Sequence, residues 1–408
     1  MSNRVPLRSL LSSYIGGGWG KEEFDDGHPE PAYVIRGTDF ADAEYGSMET
    51  VPYRFHKSSN LAGRRLETNE IVMEVSGGSI DQPVGRVMYV DEHVLGSLDG
   101  PVMCASFCKR VVPNSDAVHP PYLYWYLKAV YASGLIERYQ VQSTGIRNLQ
   151  FEYLLDDLPV HLPPREEQER AVAVLDAILE ALRSNRRRIA ILEEMARLVY
   201  SEWFVQFRIP GHEDVELVYS EAGHAPAGWE PTTVAELVRR LKTGPRYTGD
   251  SVSATGKVPV IDQSRAETLG FHDDEPGIRA SPESPVIAFG DHTCRIEVMI
   301  EPFSVGPNVV PFTSPHVPVL ALAQMIDGLV ETREYKRHWS DLQSKNVVLP
   351  PSELLEVYAN RTTPLAELIR NLKAQNRSVS DARDLLLPRL ISGELDVSTI
   401  EMGLESVE

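Results

Sequence analysis

LPPREEQERAVAVLDAILEALRSNRRRIAILEEMARLVYSEWF runs from Leu162 to Phe204, and LPPSELLEVYANRTTPLAELIRNLKAQNRSVSDARDLLLPRLI runs from Leu349 to Ile391. The two stretches lie on each other at a constant offset of 187 residues without a gap. Self-similarity of this kind marks an internal duplication, and it governs how the rest of the chain is read. Leu-Pro-Pro opens both copies, and Glu166 matches Glu353, Glu169 matches Glu356, Glu180 matches Glu367 and Arg183 matches Arg370. In the first copy Leu175, Ile178, Leu182, Leu192 and Val199 fall on the a and d positions of a heptad, and Ile189, Ala196 and Trp203 complete the seam. Leu365, Ile369, Leu372, Val379, Leu386 and Leu390 do the same in the second. An apolar seam at this period predicts two long amphipathic helices that need a partner. Pro164 and Pro351 suit the first helical turn, where an N–H would go unbonded, and Glu166, Glu167 and Glu353 suit the positive end of the helix dipole.

Each seam contains one asparagine, Asn185 or Asn376. A buried asparagine there costs stability and disfavours wrong registers, whereas one at a solvated edge does neither; the sequence leaves both readings open. Pro364 predicts a break in the second helix near Thr362 and Thr363. A helix of about 40 residues is roughly 60 Å long. Two such helices, each following a mixed region, predict two α/β (α+β) lobes separated by a coiled-coil-like antiparallel pair, with an internal pseudo-twofold repeat. The expected divisions are a first lobe over 1–157, a helical region over 158–208, a second lobe over 209–347, a second helical region over 348–395 and an acidic tail over 396–408.

The lobes repeat more faintly. YVIRGTDF (Tyr33–Phe40) resembles PVIDQS (Pro259–Ser264), and MEVSGGSIDQPVGRVMYV around Arg86 resembles VIAFGDHTCRIEVMI around Arg295. Alternating apolar residues around Ile71, Met73 and Val75, and around Val87, Tyr89 and Val94, predict short strands punctuated by Gly and Pro turns. A helix is expected near the end of each lobe, YLYWYLKAVYASGLIERY in the first and PVLALAQMIDGLVETREYKRHW in the second.

Composition bounds the function. At 408 residues, 42% hydrophobic and 24% charged, the chain has room for two or three cores. No apolar run approaches the roughly 20 residues that span a bilayer, and the first residues are too polar and Gly-rich for a signal peptide, so an intracellular location is expected. Cys104, Cys108 and Cys294 form no disulfide framework, and no metal site is expected from so loose a pattern. The net charge of −19 opposes nucleic-acid binding, because phosphates are held by Lys and Arg, and no segment is a basic domain.

HPPYLYW (His119–Trp125) differs by one letter from the polar-Pro-Pro-aromatic loop of amino-methyltransferases, which grips a flipped base. That loop ends a buried strand, whereas VVPNSDAV precedes this one and Tyr122, Trp125 and Tyr126 follow at helical spacing. A Pro pair opening an aromatic-faced helix accounts for the motif. GGGWG at Gly16 follows no strand ending in an acidic-x-apolar-x-Gly-x-Gly pattern, and Gly20-Lys21 lacks the rest of a phosphate loop. Glu334-Tyr335-Lys336 imitates the end of a nuclease motif but reads as a solvated helix face. No enzymatic role is expected.

The repeat resembles a known family, the specificity subunits of type I restriction-modification systems. Its most telling parts are LPVHLPPREEQERAVAVLDAI, NRRRIAILEE, YSEWF and the C-terminal ARDLLLPRLISGEL, with GWEPTTVAELVRRLKTG opening and STGIRNLQFEYLLDDLPVHLPP closing a target-recognition domain. The resemblance implies two such domains, each reading one half of a split site on double-stranded DNA, and antiparallel helices that dock two adenine methyltransferase (modification) subunits. Restriction subunits with ATP-driven translocase activity would join a larger complex. S-adenosylmethionine, ATP and Mg belong to those partners and not to this chain. A location in the cytoplasm with the nucleoid follows. A rigid rod would make half-site spacing a geometric quantity, at about 3.4 Å per base pair. The alternative is a scaffold or adaptor of a phage-defence complex that keeps the fold without reading sequence.

Base edges are read by Arg, Lys, Asn and Gln, and phosphates by Arg, Lys and hydroxyls. In the first lobe the best cluster is RFHKSSNLAGRR, an expected loop with Arg54, His56, Lys57, Ser58, Asn60, Arg64 and Arg65; Arg36, Arg86, Arg147 and Asn148 are further candidates. In the second, Arg240, Lys242, Arg246 and Tyr247 lie near a Gly-Pro turn, with Lys257, Gln263, Arg265 and Arg295 beyond. Asn185 and Asn376 are the candidates for fixing the register of the helix pair.

Overall fold

The computed structural model describes residues 4–77, 82–143, 146–211, 217–220, 223–264, 268–332 and 337–395. Arg265, Glu334-Tyr335-Lys336 and the tail from residue 396 lie outside them. The chain divides into two compact units, one comprising the residues up to Arg186 together with those from Gln375 onward, the other Arg187–Ala374.

In the first unit the strands are β1 (Arg4–Pro6), β2 (Leu11–Gly16), β3 (Glu30–Ile35), β4 (Tyr53–His56), β5 (Glu70–Glu74), β6 (Ser76–Gly77), β7 (Val87–Val90), β8 (Val102–Cys104), β9 (Cys108–Pro113), β10 (Gln140–Ser143), β11 (Ile146–Leu149) and β12 (Pro159–His161). A four-stranded antiparallel sheet has the order β2-β9-β5-β7, and a three-stranded sheet the order β4-β3-β8, in which β3 runs antiparallel to β4 and parallel to β8. β1 and β12 form a two-stranded ladder that brings the beginning and end of the lobe side by side.

The second unit contains β13 (Leu217–Ser220), β14 (Gly223–Pro226), β15 (Glu230–Thr233), β16 (Arg239–Arg240), β17 (Val258–Ile261), β18 (Gly270–His272), β19 (Val286–Gly290), β20 (Ile296–Met299), β21 (Ser304–Val305), β22 (Val309–Thr313) and β23 (Asn346–Leu349). Here the four-stranded sheet is β16-β22-β19-β20, the three-stranded sheet β18-β17-β21 again combines one antiparallel and one parallel neighbour, and β15 pairs with β23. These three sheets repeat strand orders of the first lobe, whereas the first lobe's β10-β11-β6 sheet and the second's β13-β14 ladder are not repeated among the described residues, and the two faint similarities mark equivalent places. Val34 and Val260 lie on the central strands β3 and β17, while Arg86 and Arg295 each precede the outer strand of the four-stranded sheet.

The first long helix spans Arg165–Tyr200 and continues as one π turn over Ser201–Val205; the second spans Ser352–Ile391. The unit boundaries fall inside both, so each helix contributes to both units. In the first unit Ala171, Val172, Leu175 and Leu179 share a core with Leu387, Leu390 and Ile391, and Asn185 meets Asn376. Position rises along one helix as it falls along the other, so the pair is antiparallel. In the second unit Trp203 and Phe204 pack with Leu355 and Tyr358. The Pro164 and Pro351 carbonyls accept the first backbone bonds of their helices, from Glu167 and Gln168 and from Leu354 and Leu355. The helices thus begin where a proline has no donor to lose.

Several details differ from expectation. The second helix is continuous through Pro364. One turn before the proline, the Thr362 hydroxyl bonds to the Tyr358 carbonyl at 3.0 Å and the Thr363 hydroxyl to the Ala359 carbonyl at 2.8 Å. Val94 lies in a short helix, Glu92–Gly96, started by the Asp91 side chain accepting from the Val94 N–H, and not in a strand. RFHKSSNLAGRR is strand β4 followed by the helix Ser58–Arg64 instead of a loop. The second lobe's apolar helix is short, Val319–Ile326, and Gly328 at φ 72° turns the chain away after it. Its counterpart in the first lobe runs from Pro120 to Ala132 and ends before Gly134, at φ 75°. Among the described residues no helix is long and apolar enough to cross a membrane.

Candidate nucleic-acid interface

One end of the first lobe's four-stranded sheet gathers residues scattered in sequence. β2 ends at Gly16 opposite Lys109, β5 ends at Glu74 opposite Cys108, and β7 begins just after Arg86. Arg64, at the end of its helix, donates from Nε to the Gly16 carbonyl at 2.9 Å, and a Cβ on Gly37 would stand 2.4 Å from the Glu74 carboxylate. β11 adds Arg147 opposite Gly77 and Asn148 opposite Ser76, whose hydroxyl bonds to the Asn148 side chain at 2.7 Å. Strand ends therefore bring Arg36, Arg64, Arg86, Arg147 and Asn148 into one neighbourhood.

Proximity does not make these side chains available. Arg86 forms two hydrogen bonds of 2.8 and 2.9 Å to Glu74, which is buried, while Arg86 itself is half-buried. Burial alone would lower the Arg86 pKa, but Glu74 outweighs it and the guanidinium stays charged. Arg86 is held at the sheet end by Glu74. His56 is 1% exposed, its Nε2 has no hydrogen-bond partner among the described residues, and burial followed by the charge of His28 holds its pKa below the ordinary value. Its ring packs under Gly20, where any Cβ would collide with it, so His56 cannot reach a base edge in this conformation. Arg36 is bound to Asp39 at 2.8 Å and to the Thr50 carbonyl at 2.7 Å, and Arg54 to Glu22 at 2.7 Å. Ser58 donates to Glu30, and Asn60 accepts from Arg64. Lys57 and Arg65 are exposed, and among the described residues neither has an acidic partner.

The second lobe sorts in the same way. Arg246 donates to the carbonyls of Gly306 at 2.7 Å and Val309 at 3.1 Å, and burial lowers its pKa. Tyr247 is buried, stacked on His272 at 4.0 Å between ring centroids, with its hydroxyl on Asp274. Both residues brace the turn they were expected to present. Gln263 accepts from the His292 N–H, and Arg295 binds Glu297 at 2.7 Å and the Ser264 carbonyl at 2.9 Å. Arg240, Lys242 and Lys257 remain exposed, with no acidic partner among the described residues. Arg239, Arg187 and Arg188 share that state and were missed. A readable signal existed for the last two, because no acid stands three or four residues from either on its helix.

HPPYLYW turns out to fasten the lobe to the helices. His119 precedes a helix with Pro120 and Pro121 in its first turn, and Tyr122 and Trp125 are fully buried. The Tyr122 hydroxyl lies 3.1 Å from the His161 carbonyl and 3.2 Å from that of Ile391, and Trp125 Nε1 donates to Asp176 at 2.8 Å. Further along this helix Lys128 and the Tyr124 hydroxyl bind Glu44, while Arg183 of the first long helix binds the Glu44 carbonyl and Asp91, each at 2.8 Å. Burial would push the Glu44 carboxyl up, yet Lys128 and Tyr124 hold it below its ordinary value. In the second unit Lys373 reaches Glu297 at 3.2 Å and the Tyr358 hydroxyl bonds to the Ala196 carbonyl at 3.0 Å. Cys104 and Cys108 are buried in the lobe, and burial pushes the Cys104 thiol up to about 12.

Two lobes of one topology, each sharing a compact unit with parts of both long helices, define a duplicated protein of the specificity-subunit fold. Residues 64–194 match the family described as the type I restriction modification DNA specificity domain. It is similar to the type I restriction enzyme MjaIX specificity subunit of Methanocaldococcus jannaschii, 22% identical over 378 residues that cover 83% of each chain. It is also similar to that organism's putative type I restriction enzyme MjaX specificity subunit, 21% identical over 319 residues, covering 70% of this chain and 71% of the other. Among solved structures, the type I restriction-modification S subunit from M. genitalium shares the fold, with a TM-score of 0.52 and 14% identity over 96% of both chains.

Proposed function

We propose that this chain is the address-giving subunit of a type I restriction-modification complex, each lobe reading one half of a bipartite DNA site. The observation that carries this reading is the repeated topology with unlike surfaces. The strand orders match between lobes, while the exposed cations differ in type and place, Lys57 and Arg65 in one and Arg239, Arg240, Lys242 and Lys257 in the other. Two copies of one frame with different heads suit two different half-sites. The long helices would dock two adenine methyltransferase subunits, and restriction subunits through them. Methylation and cleavage would belong to those partners, which would also hold S-adenosylmethionine, ATP and Mg. The complex would work on DNA in the cytoplasm.

Because the chain carries −19 overall, its few unpaired cations act locally, within a Debye length of about 8 Å. Weak DNA binding by the chain alone and tight binding with modification subunits follow. Mapping methylated adenines by long-read sequencing, in cells with and without this chain, tests the function. A bipartite motif that vanishes on deletion is the expected result. An unchanged methylome would overturn the reading in favour of a scaffold or adaptor.

A further inference from the structure

At topologically equivalent points the two lobes carry chain crossings of opposite charge. Residues 17–29, which follow β2, hold one lysine against four acids, a net −3; residues 241–257, which follow β16, hold three cations against one acid, a net +2. Both crossings are anchored in the same way, Gly18 N–H on the Cys104 carbonyl of β8 at 2.9 Å and Tyr247 N–H on the Val305 carbonyl of β21 at 3.2 Å. The frame is shared and the surface is inverted.

In the first lobe the acidic crossing is stitched to β4 by paired backbone bonds between Lys21 and Phe55, both 2.9 Å. The crossing and β4 together carry aromatic rings that stay in solvent. Trp19, Phe24 and Tyr53 are 39%, 60% and 46% exposed, and Phe24 and Tyr53 each meet Phe55 edge to face at 6.0 Å. Trp19, Glu22, Glu23, Phe24 and Arg54 are among the residues lining an open cleft of about 490 Å³. The Arg54 guanidinium lies 4.6 Å above the Trp19 ring and 2.7 Å from Glu22, so the cleft already binds one guanidinium, that of its own chain. Glu23 and Asp26 are exposed, with no cationic partner among the described residues.

Duplex DNA presents one negative charge per ~1.7 Å, and a face of this sign repels it. Aromatic faces flanked by free carboxylates attract guanidinium and ammonium groups instead. We propose that this face of the first lobe docks an arginine- and lysine-bearing segment of a partner protein, and that it is not a DNA-reading surface. The proposal does not depend on what the rest of the lobe reads.

The test uses the full chain and a fluorescein-labelled ten-residue peptide of alternating arginine and glycine, followed by anisotropy at about 0.15 M salt. Trp19→Ala/Phe24→Ala, which leaves the charge unchanged, and Glu22→Gln/Glu23→Gln, confined to exposed side chains, should each weaken binding about tenfold while the melting temperature holds. Glu275→Gln/Glu283→Gln, an equal charge change on exposed acids of the second unit, should alter it less than about twofold. An unchanged affinity for Trp19→Ala/Phe24→Ala, with the two glutamine variants altered alike or not at all, would show that this face is not the docking site and overturn the proposal. Loss of duplex binding by Trp19→Ala/Phe24→Ala in the assembled complex would overturn it in favour of DNA. A methylome unaffected by deletion of the chain would bear on the proposed function and leave this result standing.

Discussion

Asn185 donates a 2.9 Å hydrogen bond from its side-chain amide to the side-chain oxygen of Asn376, 191 residues away in sequence. The duplication places Leu372 and Ile189 at the positions equivalent to Asn185 and Asn376, and both of those are buried apolar residues. One unit thus has a polar pair where the other has aliphatic side chains. A polar pair in a seam lowers stability and penalises misaligned pairings that strand either amide. Asn185→Leu should destabilise the chain by about 1 kcal/mol, because it leaves the Asn376 amide facing a hydrocarbon. Asn185→Leu/Asn376→Leu should recover that loss and add about 1 to 2 kcal/mol. Urea unfolding of the three proteins checks the order, which a pair of solvated asparagines would not produce.

The Glu44–Lys128 pair is the most exposed to disruption of the links between the first lobe and the helices. Glu44→Gln should cost about 3 kcal/mol, since Lys128 would keep a poorly solvated charge without its counter-ion. Glu44→Leu/Lys128→Met should be close to neutral. The carboxyl of Glu44 titrates below its ordinary 4.5 in the folded chain. Its contribution is therefore complete above about that pH and is lost as pH falls through the lower, folded value. Wild type should lose stability below pH 4.5 more steeply than the double variant, as read by unfolding midpoints across pH.

Arg86 separates a structural role from DNA reading. Arg86→Ala should cost about 3 to 5 kcal/mol, because Glu74 would be left buried and unpaired. Arg86→Met/Glu74→Leu should restore most of that stability and leave the methylated motif unchanged. A motif altered in the stable double variant would return Arg86 to the DNA surface.

The exposed cations give the opposite pattern. Lys57→Ala/Arg65→Ala and Arg240→Ala/Lys242→Ala should leave melting temperatures within about 1 °C, as surface substitutions generally do. In the assembled complex each phosphate contact removed should reduce the slope of log affinity against log salt by about 0.9. Anisotropy titrations at several salt concentrations measure it, and unchanged slopes would place the phosphates elsewhere.

The helices and the duplication were legible because apolar period and repeat offset are properties of sequence alone. Pro364 misled because the loss of one backbone N–H does not by itself decide whether a helix running from Ser352 to Ile391 continues. Individual contacts were harder. Arg36, Arg86 and Arg246 look like surface cations until folding reveals Asp39, Glu74 and two carbonyls beside them. Those partners lie 3, 12 and more than 50 residues away, and only the first spacing is readable in advance. The acidic crossing of the first lobe was likewise visible as letters, but its contrast with the second lobe needed the strand orders.

The β1–β12 and β15–β23 ladders have a consequence for descent. Each lobe enters and leaves through adjacent strands, and the long helix follows within a few residues of the exit. A gene segment bounded by those strands could be exchanged between lineages in a single recombination event, with the helices inherited unchanged. On the proposed function, the host could then acquire a new methylation pattern without its modification enzyme having to co-evolve.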